Sequence, residues 1–224
     1  MKKYELTTET LQIGGFTLHR IKAVKNFGSV KAGELGGWIE SEENLSQADN
    51  AWVYNNAKVF DKARVYGDAA VSDDAKVCGY AIVNHNARVY DNAEVSDYAE
   101  VFENAIVFGH AKVYGFTRIF GNAIVLGNAI LFGHAKVYGK ATIKGDAKVY
   151  DATDYIVFKN FWSSGRYFTW TRSNNKWSVG CFHGTGEELI NKAYADSEKS
   201  GREYERVVRY VESILADEKK EREK

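Results

Sequence analysis

Ala111-Lys112-Val113-Tyr114-Gly115-Phe116 is followed at once by Thr117-Arg118-Ile119-Phe120-Gly121-Asn122, the same six-residue pattern of small, variable, aliphatic, variable, turn, turn. The pattern runs through seventeen consecutive hexapeptides from Ala51 to Tyr150 without a gap or insertion. Its aliphatic column is Val everywhere except Ile119, Leu131 and Ile143, and its small column is Ala everywhere except Thr117. Side chains two apart share one side of an extended segment. The two columns therefore face inward together, and the residues flanking each aliphatic face outward. The first turn column holds nine Gly, five Asp and Asn55, with only His85 and Glu103 differing. Gly, Asn and Asp tolerate the left-handed backbone that a sharp corner needs. A unit this short cannot bury its own apolar side, so it must stack on its neighbours as a solenoid.

This period, with its small/aliphatic pair, resembles the left-handed parallel β-helix of hexapeptide-repeat proteins, a three-sided solenoid with 18 residues per coil. Handedness is taken from the resemblance. The expected fold is mainly β, with an N-terminal β cap over 1–50, the β-helix over 51–154 and a C-terminal α+β module over 155–224. Sorting by eighteen predicts three interior ladders, beginning at Val53, Val59 and Val65, the last continuing to Tyr155. In the cap, a strand is expected over Phe16–Val24, a tight turn at Trp38 and Ile39, and Leu45 and Trp52 near the join. An open solenoid end exposes an unpaired strand edge, which is why a cap is needed.

Beyond Asp151 the period gives way to a β-meander and two helices. Strands are expected over Tyr155–Trp162, Arg166–Arg172 and Lys176–Phe182, with turns at Ser163-Ser164-Gly165 and Ser173-Asn174-Asn175. Phe168 with Trp170, and Trp177 with Val179 and Cys181, alternate onto buried faces. Thr185 with Glu188 and Ser200 with Glu203 read as capping boxes. The second helix carries Tyr204, Val207, Val208, Val211, Ile214 and Leu215 at helical spacing. The charged run from Asp217 to Lys224 is expected to fray.

The 224 residues carry 30 basic and 30 acidic side chains, so no long-range field favours duplex nucleic acid or an anionic membrane. No apolar run approaches a membrane span and no secretory leader is evident, so the expected setting is the cytoplasm. Two Cys, Cys78 and Cys181, suggest no disulfide framework. No Pro interrupts the strands. Neither a phosphate loop nor zinc spacing nor a paired-carboxylate constellation is present, so no cofactor, metal or catalytic residue is assigned.

Lys3-Tyr4-Glu5-Leu6, the Val30–Trp38 stretch and the repeats together look like phage- and prophage-encoded hexapeptide-repeat proteins, transferase-like or polymer-forming. Val179–Leu189 is similar to a small terminal module of phage accessory proteins. What this implies is a cytoplasmic, trimeric homo-oligomer that antagonises a host factor. Hexapeptide-repeat acyltransferases, by the same likeness, work as trimers with a catalytic His between prisms and a loop extruded from the coil. Here no loop leaves the repeat. His85, His110 and His134 read as polar corner residues, none of them eighteen apart.

Outward faces are therefore the candidate binding surfaces. The column after the aliphatic holds eleven aromatics in seventeen places. One wall carries Arg64, Tyr66, Phe102, Arg118, Phe120, Lys136 and Tyr138, and is the candidate site for a host protein or a stacked nucleotide. Another places Ile106 with Phe108 beside Ile124 with Leu126, a patch for self-association or for docking the C-terminal helices. The remaining wall carries Lys112, Tyr114, Ile130, Phe132, Lys148 and Tyr150. The expected function is non-enzymatic binding. Acyl transfer, self-polymerisation and sequestration of a nucleotide signal are the alternatives.

Overall fold

The computed structural model describes residues 2–162 and 165–223. An antiparallel hairpin, β1 (Tyr4–Ile13) and β2 (Phe16–Ala23), turns at Gly14 and Gly15 and passes the chain to β3 (Leu35–Ile39). Seventeen two-residue strands follow, from β4 (Trp52–Val53) to β20 (Lys148–Val149). Each of the first fourteen pairs in parallel with the strand eighteen residues on, as Val95 does with Val113 and Val113 with Leu131. Three parallel ladders result, and they are the three sides of the prism. Every Ala and aliphatic of the two inward columns is buried, as is Thr117, whose hydroxyl donates to the Tyr114 carbonyl at 2.7 Å. The predicted interior is thus the observed one.

Polarity runs along the rod. The amide of Lys112 donates to the Ala129 carbonyl, Tyr114 to Leu131 and Phe116 to Gly133. Most hydrogen bonds between turns run this way, so unpaired carbonyls gather at the N-terminal end and unpaired N–H groups at the other. The caps answer in kind. At the start, donors are supplied: Lys3 Nζ to the Asp49 and Ala51 carbonyls at 2.9 and 2.8 Å. Asn44 Nδ2 bonds the Asp61 and Ala63 carbonyls at 3.0 and 2.9 Å. At the far end, acceptors are supplied. Thr169 Oγ1 takes the Thr142 amide at 2.9 Å, Ser173 Oγ the Lys148 amide at 2.7 Å, and Asp154 Oδ2 the Tyr150 amide at 2.7 Å. A buried backbone group without a partner costs about 1–3 kcal/mol, a cost that Lys3 and Asn44 prevent at the buried Ala51 and Ala63 carbonyls.

The N-terminal segment departs from expectation in two ways. Tyr4–Ile13 is a strand that the sequence did not announce, and Trp38 and Ile39 end a strand rather than form a turn. β3 pairs in parallel with Lys58–Val59, so it already belongs to the first side of the prism. The hairpin folds over the outer face of that same side, where Leu18, Trp38 and Phe60 make a small apolar cluster with Leu11, Ile13, Phe16 and Cys78. Leu45 and Trp52 are fully buried at the join.

β21 (Tyr155–Lys159), β22 (Tyr167–Thr171), β23 (Lys176–Val179) and β24 (Phe182–Gly184) form an antiparallel meander. The turn expected at Ser163 and Ser164 lies outside the described residues. Phe168, Trp170, Trp177 and Val179 are buried against α1 (Gly186–Asp196) and α2 (Glu198–Arg222). The opposite face, with Thr169, meets the end of the prism. Tyr155 closes the third interior ladder, its hydroxyl donating to the Lys136 carbonyl at 2.9 Å, and burial pushes its pKa up to about 12.

Three details are corrected here. Cys181 is exposed, because the strand stops at Val179 and Gly180 (φ 56°) reverses the chain before β24. α2 starts one turn earlier than read: Ser197 is its N-cap, its side chain accepting from the Ser200 amide, whereas Thr185 caps α1 with Glu188 as expected. The charged tail does not fray at Asp217; the helix continues to Arg222, and Glu218 grips Arg172 through two bonds of 2.7 and 3.1 Å.

Candidate binding walls

The seven residues of the aromatic-basic wall lie on one side, the sheet of five strands from Arg64–Val65 to Lys136–Val137. They project outward in two columns because each brackets a buried aliphatic. One column reads Arg64, Ile82, Glu100, Arg118, Lys136, and the other Tyr66, Asn84, Phe102, Phe120, Tyr138. The structure divides this wall into halves. In the first, Asn84 Nδ2 donates to the Tyr66 hydroxyl at 2.6 Å and Asn84 Oδ1 meets His85 Nδ1, which makes it a polar patch. In the second, Phe102 stacks on Phe120 at 5.0 Å and 5°, and Phe120 on Tyr138 at 5.3 Å and 12°.

Arg118 is not a free cation. Its Nε donates to Glu100 Oε2 at 2.9 Å, and its guanidinium lies 5.1 and 5.8 Å from the Phe102 and Phe120 ring centres. It clamps the stack from the side. Arg64 and Lys136 are exposed and form no ion pair among the described residues. Beyond Tyr138, about half exposed at 52%, the wall opens into a cleft of about 430 Å³ lined by Lys140, Tyr155, Val157 and Tyr167. The meander thus adds a floor to the wall that the repeat alone does not provide.

Ile106, Phe108, Ile124 and Leu126 are half-buried neighbours on the second side, Ile106 pairing with Ile124 across the ladder. The C-terminal helices do not cover them. Those helices pack on the meander, in an apolar cluster that contains none of the four. Arg88, on the same ladder as Ile106, is exposed and lines, with Ile106, Tyr54, Ser72, Asp73 and Tyr90, a groove of about 590 Å³.

The histidines do not converge. His85 bonds Asn84, His110 is exposed in a corner, and His183 contacts Ser178 Oγ at 3.2 Å. Burial, with Lys144 and Lys176 nearby, holds the His183 pKa below its ordinary value. His134 is more than a polar corner residue. It ends a column of rings, Tyr80, Tyr98, Phe116 and His134, stacked at 5.0, 5.0 and 5.2 Å with planes within 7° of parallel. This column sits at a place the pattern assigns to turns, so its stacking stays hidden until corner residues, too, are sorted by eighteen. No group of three or more metal-ligating side chains occurs among the described residues. No described helix is long and apolar enough to cross a membrane.

No family model matches the chain. A curated protein of Escherichia coli (strain K12), the uncharacterized acetyltransferase YdcK, is 39% identical over 69 residues, covering 27% of this chain and 21% of its own length. The match thus spans about a fifth of that relative. It agrees with a transferase-like hexapeptide-repeat solenoid and leaves activity open.

Proposed function

We propose that this protein is a non-catalytic binding module whose rigid prism presents the Phe102–Phe120–Tyr138 stack to a protein partner. The observation that carries the reading is the Arg118–Glu100 clamp on rings already stacked and running into the Tyr138–Tyr155–Tyr167 cleft. Aromatic and Arg side chains dominate the energetics of protein interfaces, and fixing them beforehand removes the ordering cost of capture. The phage likeness of the sequence makes a host protein of the bacterial cytoplasm the partner class. Ile106, Phe108, Ile124 and Leu126 then serve self-association, as a trimer by analogy with other hexapeptide-repeat proteins. In a bacterial lysate, Arg118→Glu combined with Phe120→Ala is expected to lose the partner retained by the parent protein, with its circular dichroism unchanged. Equal capture by both would refute the wall.

A second reading, acetyl transfer, is favoured by the likeness to YdcK. Titration with acetyl-CoA decides between them: saturable micromolar binding supports the transferase, and its absence supports the binding module.

A further inference from the structure

The meander has two edges, and β21 is the one that borders the binding wall. Its register with β22 is unbroken from the Tyr155–Thr171 pair to the Lys159–Tyr167 pair. At either end of that run the Arg172 amide donates to the Asp154 carbonyl at 2.8 Å and the Asn160 amide to the Arg166 carbonyl at 2.7 Å. Opposed residues of an antiparallel pair exchange hydrogen bonds at every second place. Ile156 and Phe158 therefore bond β22, and the N–H and C=O groups of Val157 and Lys159 point the other way. Among the described residues no strand pairs with that edge. The edge of β1 is also open, but a register shift between Leu6 and Thr10 bends it and Glu9 lies within the bend, devices that discourage pairing. β21 has no such shift.

The open edge runs along the cleft between meander and prism. Tyr155, Ile156, Val157 and Tyr167 line it from the meander, Tyr138 and Lys140 from the prism. Phe158 turns to Trp177 and Tyr210 on the helix side, whereas Val157 packs against the prism core. By alternation Lys159 shares the prism side with Val157. A strand added at this edge would thus place every second side chain over the cleft. The surroundings are basic: Lys136, Lys140 and Lys159 are exposed, and their side chains form no ion pair or hydrogen bond among the described residues. Lys140 lies 5.3 Å from the Tyr167 ring centre. The acids that precede the strand are engaged locally, Asp154 Oδ2 by the Tyr150 and Asp151 amides and Asp151 Oδ1 by the Thr153 amide.

We infer that the free edge of β21 takes an extended segment of a partner protein as an added strand, with an aliphatic side chain in the cleft and an acidic one two residues to either side. Pairing with the Val157 and Lys159 backbone supplies the affinity, and the cleft and its lysines select the side chains. A second copy of this edge is a poor occupant, because it would bring its own Lys136, Lys140 and Lys159 against the same three. The inference rests on the binding-module reading and names how that partner is held.

The probe is acetyl-Thr-Glu-Thr-Leu-Thr-Glu-Thr-amide, which reads alike in both directions and so suits either strand polarity. It is titrated into the isotope-labelled full chain and followed by NMR. In the free protein the Val157 and Lys159 amides should exchange with solvent faster than those of Ile156 and Phe158, and saturating peptide should shift and protect them. Of two peptides N-methylated at alternate amides, one should lose binding and the other keep it. Lys in place of both Glu should weaken binding roughly tenfold or more, since like charges then meet at the rim. Lys159→Pro removes one edge donor at an exposed place where no bond to β22 is made; it should weaken binding and leave melting unchanged. Arg118→Glu with Phe120→Ala should bind the peptide as the parent does, so that wall and edge stand or fall separately. The edge is overturned by Val157 and Lys159 amides as protected in the free chain as their neighbours, or by no saturable binding into the millimolar range. Equal behaviour of the two N-methylated peptides, full affinity of the Lys peptide or of Lys159→Pro, or loss of binding in the Arg118→Glu, Phe120→Ala variant would overturn it too.

Discussion

Replacing Gly109 by Ala tests how tightly the corners stack. At Gly109 (φ +73°) an added Cβ would stand 2.9 Å from the Gly127 amide nitrogen and 3.2 Å from its carbonyl oxygen. Gly139 has nearly the same backbone (φ +69°), yet a Cβ there meets nothing within 4 Å, because the chain has left the prism one turn later. The left-handed backbone costs an L-residue about 1–2 kcal/mol, and loss of glycine's freedom in the unfolded chain returns about 0.4–1 kcal/mol. Gly139→Ala should therefore destabilise by about 0.5–1 kcal/mol. At Gly109 crowding adds roughly 1–3 kcal/mol, for a total of about 1.5–4 kcal/mol. The molecule also shows how a side chain is accommodated. Non-glycine corners of the prism have φ between 53° and 61°, glycine corners between 66° and 75°, so a Cβ is admitted by a modest closing of the turn. There the side chain earns a compensation: Asp91, Asp97 and Glu103 accept the amides of Gly109, Gly115 and Gly121 at 3.1, 3.0 and 2.8 Å. Gly109→Asp should accept the Gly127 amide in the same way and recover about 1 kcal/mol relative to Ala. Urea titrations followed by circular dichroism, compared at equal slope, measure all three. Coincident stabilities for Gly109→Ala and Gly139→Ala, or an Asp variant weaker than the Ala variant, would refute this account of the corners.

Two further outcomes follow from burial. Ala105→Leu forces a larger side chain into the filled interior and should lower the melting temperature clearly, whereas Lys112→Leu, on an exposed outer place, should hardly move it; equal shifts would contradict the inward columns. Burial lowers the Lys3 pKa from 10.5 to about 8, against the attraction of Asp49 and with the repulsion of Lys25. Between those values the unfolded chain holds a proton that the folded chain has released, so this contribution to stability rises with pH, by about 2 kcal/mol from pH 8 to pH 10. Tyr4, kept neutral by burial beside Glu42, acts oppositely as the pH passes 10. Denaturant titrations of the parent and of Lys3→Met across this window isolate the lysine, and parallel curves would remove it as the cause.

The interior of the prism was legible because one physical constraint, a narrow core, acts on every sixth residue alike, and Ala51 through Val149 record it without interruption. The outer walls followed by counting, and the Phe102–Phe120–Tyr138 stack is where that count places it. What escaped did so for local reasons. Tyr4–Ile13 is a mostly polar strand, open to solvent on much of its length, so no apolar alternation marks it. Cys181 looked inward by alternation with Trp177 and Val179, but Gly180 breaks the alternation between them. The ring column at Tyr80 lies in a corner, where residue choice usually reports backbone shape rather than contact. The meander's role as an end piece depends on Thr169 and Ser173 meeting Thr142 and Lys148, pairings between distant segments that no period records.

The donor-bearing cap at the start and the acceptor-bearing cap at the finish make the length of the rod a free variable. Each terminal piece recognises only the turn it touches, and every interior turn sees two neighbours of its own kind. Whole blocks of eighteen residues can therefore be spliced in or out between Ala75 and Ala129, each changing the separation of the two ends by about 4.8 Å, without either end piece registering the change. The molecule is built like a measuring stick, its graduations independent of its fittings.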